Sequence, residues 1–348
     1  MPRPLPWTPA LLLGPLLGPI LGVVGSVQGQ EFDAAWSEPA ADRWNYGFNA
    51  TPGTRNVASV FGYTGDLYEF DERDGQVIIV FDTADQIDSA AGADRYRIDS
   101  VEITVTIADE LAGGYDPTQD DWRTYLEPSD PDHVPDADPG RPIELFPTGF
   151  RNGVTAADWT ETTDFSLVGP FGFGVRTAYA ADLGRKGMLL DVSNSITDRR
   201  TPESLAVGVV DGATGGGNLP EGSVLRFTFD GTDDRVAAWL GAGLDAGRLH
   251  FSLSSLIEAQ QEGGDFVDFY MRENPLVTVG VRSAATLRIV GAIEAGCDGP
   301  GDLDNDCTVG GGDIGILLSL WGTDDPDADL NGDGTVDGAD FGILLTLF

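Results

Sequence analysis

Apolar residues recur with period two through much of residues 31–293. The clearest run is 97–107, where Val101, Ile103, Val105 and Ile107 alternate with polar neighbours. Successive side chains of an extended chain point to opposite sides, so alternation predicts a strand with one buried face. Apolar runs at 77–81, 204–210, 224–229, 248–253 and 277–281 predict further strands. The segments between them are rich in Gly, Asp, Asn and Pro, which favour turns. Helical spacing appears at 235–244, with Val236, Trp239, Leu240 and Gly243 on one face and Asp233 placed as N-cap, and again at 254–261. Many short strands joined by such turns predict a mainly β chain, an antiparallel, jelly-roll-like β-sandwich over residues 30–295. A long acidic, proline-rich loop, 115–142, interrupts it; a loop of that length is either functional or mobile.

The two ends of the chain depart from this pattern. Arg3, an apolar stretch from Leu11 to Val24 and the small or polar residues up to Gly29 have the layout of a secretory signal peptide, residues 1–29. The apolar stretch is short for a membrane anchor and carries Pro15 and Pro19. The expectation is an exported protein, secreted or at the cell surface, with no membrane span once processed. In an oxidising compartment its only two cysteines, Cys297 and Cys307, are expected to pair.

Residues 296–348 contain a duplication with an offset of 27. Asp302-Leu303-Asp304-Asn305-Asp306 aligns with Asp329-Leu330-Asn331-Gly332-Asp333, Thr308 with Thr335 and Asp313 with Asp340. Ile314, Leu317, Leu318 and Trp321 align with Phe341, Leu344, Leu345 and Phe348, an i, i+3, i+4, i+7 stripe on a helix. Each half is therefore an oxygen-rich loop followed by a helix, a small all-α module. Side-chain oxygens at loop positions 1, 3, 5 and 12, with a threonine at position 7 to offer its carbonyl, have the spacing of an EF-hand calcium loop. The candidate ligands are Asp302, Asp304, Asp306, Thr308 and Asp313 in the first loop. In the second they are Asp329, Asn331, Asp333, Thr335, Asp337 and Asp340. All are hard oxygen donors, which suit two Ca2+ ions rather than zinc.

Charge strengthens that reading. The chain has 57 acidic and 20 basic residues, a net charge of −37, which excludes nucleic acid and anionic lipid as partners. Such acidity suits either a surface adapted to salty water or a skewed genomic composition. From Cys297 onward there are twelve aspartates and no Lys, Arg or His. A like-charge block of this kind is ordinarily a disordered tail, but the in-register repeat and its apolar stripes argue for a fold linked to cation binding.

The duplicated segment resembles a type I dockerin, the calcium-dependent docking module of cellulosomes and other secreted bacterial proteins. The resemblance implies a cohesin-like or other cell-surface protein as partner. It also matches the aspartate, rather than glutamate, at Asp313 and Asp340. The two loops are not equivalent. The sharp turn at position 6 is supplied by Gly334 in the second loop, whereas Cys307 stands there in the first, at a cost of about 1–2 kcal/mol if left-handed. Position 9 is Asp337 in the second and Gly310 in the first, so the second loop is the more complete site. Gly311-Gly312 and Gly338-Ala339 replace the Ser-Thr pair with which many cellulosomal dockerins recognise cohesin.

The body resembles secreted β-sandwiches of the DNRLRE type. The resemblance rests on 98–107, the helix around Trp239, Leu249-His250-Phe251-Ser252-Leu253, Phe269-Tyr270-Met271-Arg272-Glu273-Asn274 and Leu276-Val277-Thr278-Val279. It implies a structural or adhesive role without a defined active site.

No HExxH, G-x-S-x-G or phosphate-cradling glycine loop is present. His133 lies in the acidic loop, and His250 reads as an ordinary sheet residue rather than a member of a triad. Trp36, Trp44, Tyr46, Phe48, Phe61 and Tyr63 could form a sugar-stacking face, but aromatics of this size more commonly fill a core. The leading expectation is a non-catalytic extracellular binding or structural protein tethered through its C-terminal module. The alternative is a polysaccharide hydrolase or lyase, since dockerins are often joined to such enzymes.

Overall fold

A computed structural model describes residues 29–62, 70–111, 114–170, 172–184, 188–258, 267–294, 299–304 and 308–348. Residues 1–28 of the proposed signal peptide, both cysteines, Tyr63 and Asp306 lie outside the described residues. The strands, in chain order, are β1 (Gln30–Trp36), β2 (Ala41–Asn45), β3 (Val57–Val60), β4 (Gln76–Asp82), β5 (Tyr96–Thr106), β6 (Tyr115–Asp116) and β7 (Arg141–Phe150). They continue with β8 (Ala178–Leu183), β9 (Leu189–Asp191), β10 (Ala206–Val207), β11 (Val224–Phe229), β12 (Arg248–Ser255), β13 (Val267–Tyr270) and β14 (Thr286–Ile293). The helices are α1 (Asp234–Asp245), α2 (Pro275–Thr278), α3 (Gly311–Ser319) and α4 (Gly338–Leu347).

The protein is mainly β, and its strands form antiparallel sheets. One has the order β1-β14-β5-β11, the other β2-β4-β12-β7-β8-β9, with β10 and β6 also paired to β7. Only the two-residue pairing of β6 with β7 is parallel among the described strands. A short β3-β13 pair completes the set. Val101, Ile103 and Val105 of β5, with Leu287 and Ile289 of β14, share one core with Val77, Ile79 and Phe81 of β4 and Leu249, Phe251 and Leu253 of β12. Two sheets facing each other across one apolar layer make a β-sandwich.

Two details show how the sequence pattern becomes this structure. On β5 the buried residues are Tyr96 and Ile98, then Val101, Ile103 and Val105, so the parity changes near Asp99. There the ladder with β14 slips: Val290 faces Ser100, but Gly291 faces Ile98. The bulge inserts one residue and restores the inward direction of the apolar side chains. Gly291 fits because a Cβ there would lie 2.3 Å from the Arg97 carbonyl oxygen. The second detail is β4, apolar at every position from Val77 to Phe81. Ile78 and Val80 face away from the main core and are covered by Trp159 and Ala178, so this strand is buried on both faces.

Most predicted elements are present, with three corrections. Residues 277–281 are not a strand: Asn274 caps α2 by accepting a hydrogen bond from Leu276 N at 2.9 Å, and Pro275 opens the helical turn. The helix predicted at 254–261 is absent over 254–258, where β12 continues through Ser255, whose hydroxyl donates to the Pro142 carbonyl at 2.7 Å; 259–261 lie outside the described residues. Of 204–210 only β10 is a strand. α1 forms where expected, with Asp233 accepting from Arg235 N at 2.8 Å.

Gly291→Ala should destabilise the protein by about 1–3 kcal/mol, because the new methyl must displace backbone at the bulge. Urea unfolding of the wild type and variant will measure it.

Candidate metal centres

Residues 308–348, with 299–304, build a small core of their own from Leu317, Ala328, Val336 and Leu344, with Leu303, Val309, Ile314, Leu330 and Phe341 packed around it. α3 and α4 follow the two acidic loops in the chain. The aspartate at the last loop position is also the third residue of each helix and folds back on the loop. Asp313 accepts backbone hydrogen bonds from Leu303 (2.6 Å), Asp304 (3.1 Å) and Gly310 (2.6 Å). Asp340 accepts them from Asn331 (3.0 Å) and Asp337 (2.8 Å). These bonds, led by those from Gly310 and Asp337, hold both carboxyls below the usual carboxylate range.

Asp302, Asp304 and Asp313 each place a carboxylate oxygen within 4.8 Å of the others, as shared coordination of one cation requires. Thr308 stands midway along that loop, and Asp306 lies outside the described residues. In the second loop, Asp329 is turned onto Gly332 N (2.9 Å), Asp333 N (3.1 Å) and Gly334 N (2.7 Å). Asn331 donates to Asp333 at 3.0 Å, Asp333 accepts from Thr335 N at 3.0 Å, and Asp337 accepts from Ala339 N at 2.8 Å. Gly334 has φ +90°, the left-handed geometry for which glycine was expected at position 6. The helical stripe divides in two. Leu317 and Leu344 are buried, whereas Leu318, Trp321, Leu345 and Phe348 are exposed, Phe348 by 66%.

The body holds two further groups of convergent carboxylates that motif reading does not find: Asp42, Glu161 and Glu273, and Asp116, Asp120 and Asp138. The first joins residues far apart in sequence, so no spacing marks it. Asp42 is 2% exposed and accepts from Arg272 N at 2.9 Å, while its own N–H donates to Glu161 at 3.0 Å. Burial, with Glu273 and Glu161 adding repulsion, pushes the Asp42 carboxyl up. Arg272 Nε donates to Glu273 at 2.9 Å and supplies a compensating charge.

The other described aromatic candidates and His250 make packing contacts. Trp36 and Phe61 are buried, and Trp36 donates to Asp85 at 2.9 Å. Trp44, Tyr46, Phe61 and Phe48 make tilted and edge contacts at 4.7–6.4 Å that run from the core to the surface, not a flat platform. His250 lies on the outer face of β12 against the rings of Phe150 and Trp159, at 5.2 and 6.1 Å. Its Nε2 has no hydrogen-bond partner among the described residues, so the bond expected of a sheet histidine is missing at that nitrogen. No helix among the described residues is long and apolar enough to cross a membrane. In comparison with known proteins, the chain matches no family model and no curated sequence.

Burial, with Arg248 close by, lowers the His250 pKa from 6.5 to about 4. Between those values the unfolded chain binds a proton that the folded one does not. His250 therefore adds stability that is complete above pH 6.5 and lost as pH falls through 4. Replacing it with Phe should cut the stability lost between pH 7.5 and 4.5 by about 2–3 kcal/mol, measured by urea unfolding at both values.

Proposed function

We propose that this is a non-catalytic extracellular β-sandwich protein, tethered through a dockerin-like C-terminal module that folds around two calcium ions. The observation that carries this reading is the convergence of Asp302, Asp304 and Asp313 beside the in-register repeat that places Asp340 in the same role as Asp313. With no base in residues 297–348, a bound cation is the available means of offsetting carboxylates held this close. The partner is a protein, such as a cohesin-like or other cell-surface module. Leu318 and Trp321 of the first repeat, with Leu345 and Phe348 of the second, are exposed apolar side chains that such a partner would cover.

The burial of Asp42, the one member of its carboxylate group that is closed to solvent, supports a binding or structural role over polysaccharide cleavage. Asp42 retains a raised pKa, as a general acid would, but at 2% exposure no polysaccharide reaches it. Its neighbours are held by backbone and by Arg272.

Hydrogen exchange of the full chain will test the calcium dependence. Amides of α3 and α4 should be protected with calcium and lose that protection in EDTA, while β5 and β12 stay protected in both. Equal protection of the helices in EDTA contradicts the reading. Calorimetric titration will rank the sites. Asp302→Ala should retain the tighter one, because the second loop has Gly334 at its turn and Asp337 to hold a bridging water; retention of the tighter site by Asp329→Ala would reverse the ranking.

A further inference from the structure

The acidic loop from Tyr115 to Pro142 is tied down at both ends. Tyr115 and Asp116 pair with Arg141 and Pro142, and Gln119 and Trp122 reach Pro202 and Thr201. Within it, Asp116-Pro117-Thr118-Gln119-Asp120 places an oxygen-bearing side chain at every second position, and Asp138 returns from the far end. Asp116, Asp120 and Asp138 each bring one carboxylate oxygen within 4.8 Å of the others.

Hydrogen bonding within this group is incomplete. Asp116 is 1% exposed; its Oδ1 accepts from Thr118 N at 2.8 Å and lies 2.7 Å from Thr118 Oγ1. Its Oδ2 is buried and has no hydrogen-bond partner among the described residues. Thr118 Oγ1 also lies 2.8 Å from Asp138 Oδ2. A hydroxyl has one proton, so it cannot serve both carboxylates. Arg141 does not make up the deficit: its Nη1 lies 2.9 Å from Asp120 and 2.7 Å from Asp136, and among the described residues no ion pair reaches Asp116 or Asp138. Arg123 is engaged by Asp121 at 2.8 Å. A buried carboxylate oxygen with no donor is costly, and a cation at the centre of the group removes that cost.

We propose that Asp116, Thr118, Asp120 and Asp138 form a third calcium site, in the body of the protein and separate from the C-terminal loops. The donors are all hard oxygens, which select a hard divalent cation. Calcium binds oxygen at about 2.3–2.6 Å, so ligands on opposite sides of one ion stand up to about 5 Å apart, the spread found here. The ion joins the first turn of the loop to its return and closes it as a strap.

Equilibrium dialysis of the full chain against calcium will test the site, with Asp116→Asn, Asp138→Asn and the Asp302→Ala/Asp329→Ala double variant. The double variant should still bind one ion, and each Asn variant should bind one ion fewer than the wild type. Asp138 is only half-buried, so its variant reports even if Asp116→Asn fails to fold. Proteolytic cutting within residues 117–139 should slow at least tenfold on adding calcium in the double variant and show no calcium effect in Asp138→Asn. A double variant that binds no calcium, or an Asp138→Asn variant that binds as much as the wild type, overturns the proposal. Either result leaves the C-terminal sites to be judged by the helix exchange measurement.

Discussion

Repulsion among carboxylates is the constraint to which the rest of this structure answers. A chain of net charge −37 can fold compactly only if its acids are spread apart, paired with bases or held by other donors. The sandwich uses its arginines. Arg176 is fully buried and donates to Asp71 at 2.6 Å, and Arg73 meets the buried Glu144 at 2.6 Å. Burying such pairs brings little net stability, but removing one partner strands the other, so these contacts hold together the segments they join. The C-terminal residues have no arginine to use. Their aspartates turn onto backbone N–H groups, and the convergence that remains is what a metal ion is proposed to offset.

The apolar framework keeps the charged groups in place. β4 is covered on both faces, by the sandwich core on one side and by Trp159 and Ala178 on the other. The segment that covers it also carries Glu161 toward Asp42 and positions Arg176 against Asp71. Packing and electrostatics thus act on the same residues. His250 shows the consequence: the aromatic cover over the outer face of the sheet keeps its imidazole neutral.

The β architecture was legible where one face is buried, as on β5 and β11, because alternation then reports the environment directly. It was least legible where that rule fails. β7 is buried along nearly its whole length and contains Pro142 and Pro147, so it shows neither alternation nor a clean apolar run. Leu276-Val277-Thr278-Val279 has strand composition, yet Asn274 and Pro275 cap it into a helical turn. The C-terminal loops were read from local spacing, since all their ligands lie within one turn-and-helix unit. The helical stripe was legible only as a stripe; which half faces the core depends on how α3 and α4 meet. The Asp42 group was not legible, because Glu161 and Glu273 reach Asp42 of β2 from turns more than a hundred residues away in the sequence. Asp116, Thr118 and Asp120 do carry a local i, i+2, i+4 signal, but Asp138 joins them only through the closed ends of the loop.

Calcium-edge anomalous diffraction from crystals grown with calcium tests the central claim most directly. The expected result is an anomalous peak enclosed by Asp302, Asp304 and Asp313, and a second enclosed by Asp329, Asn331, Asp333 and Asp340. Well-ordered C-terminal helices with no anomalous density at either loop would contradict it, because the aspartates would then be balanced without a metal.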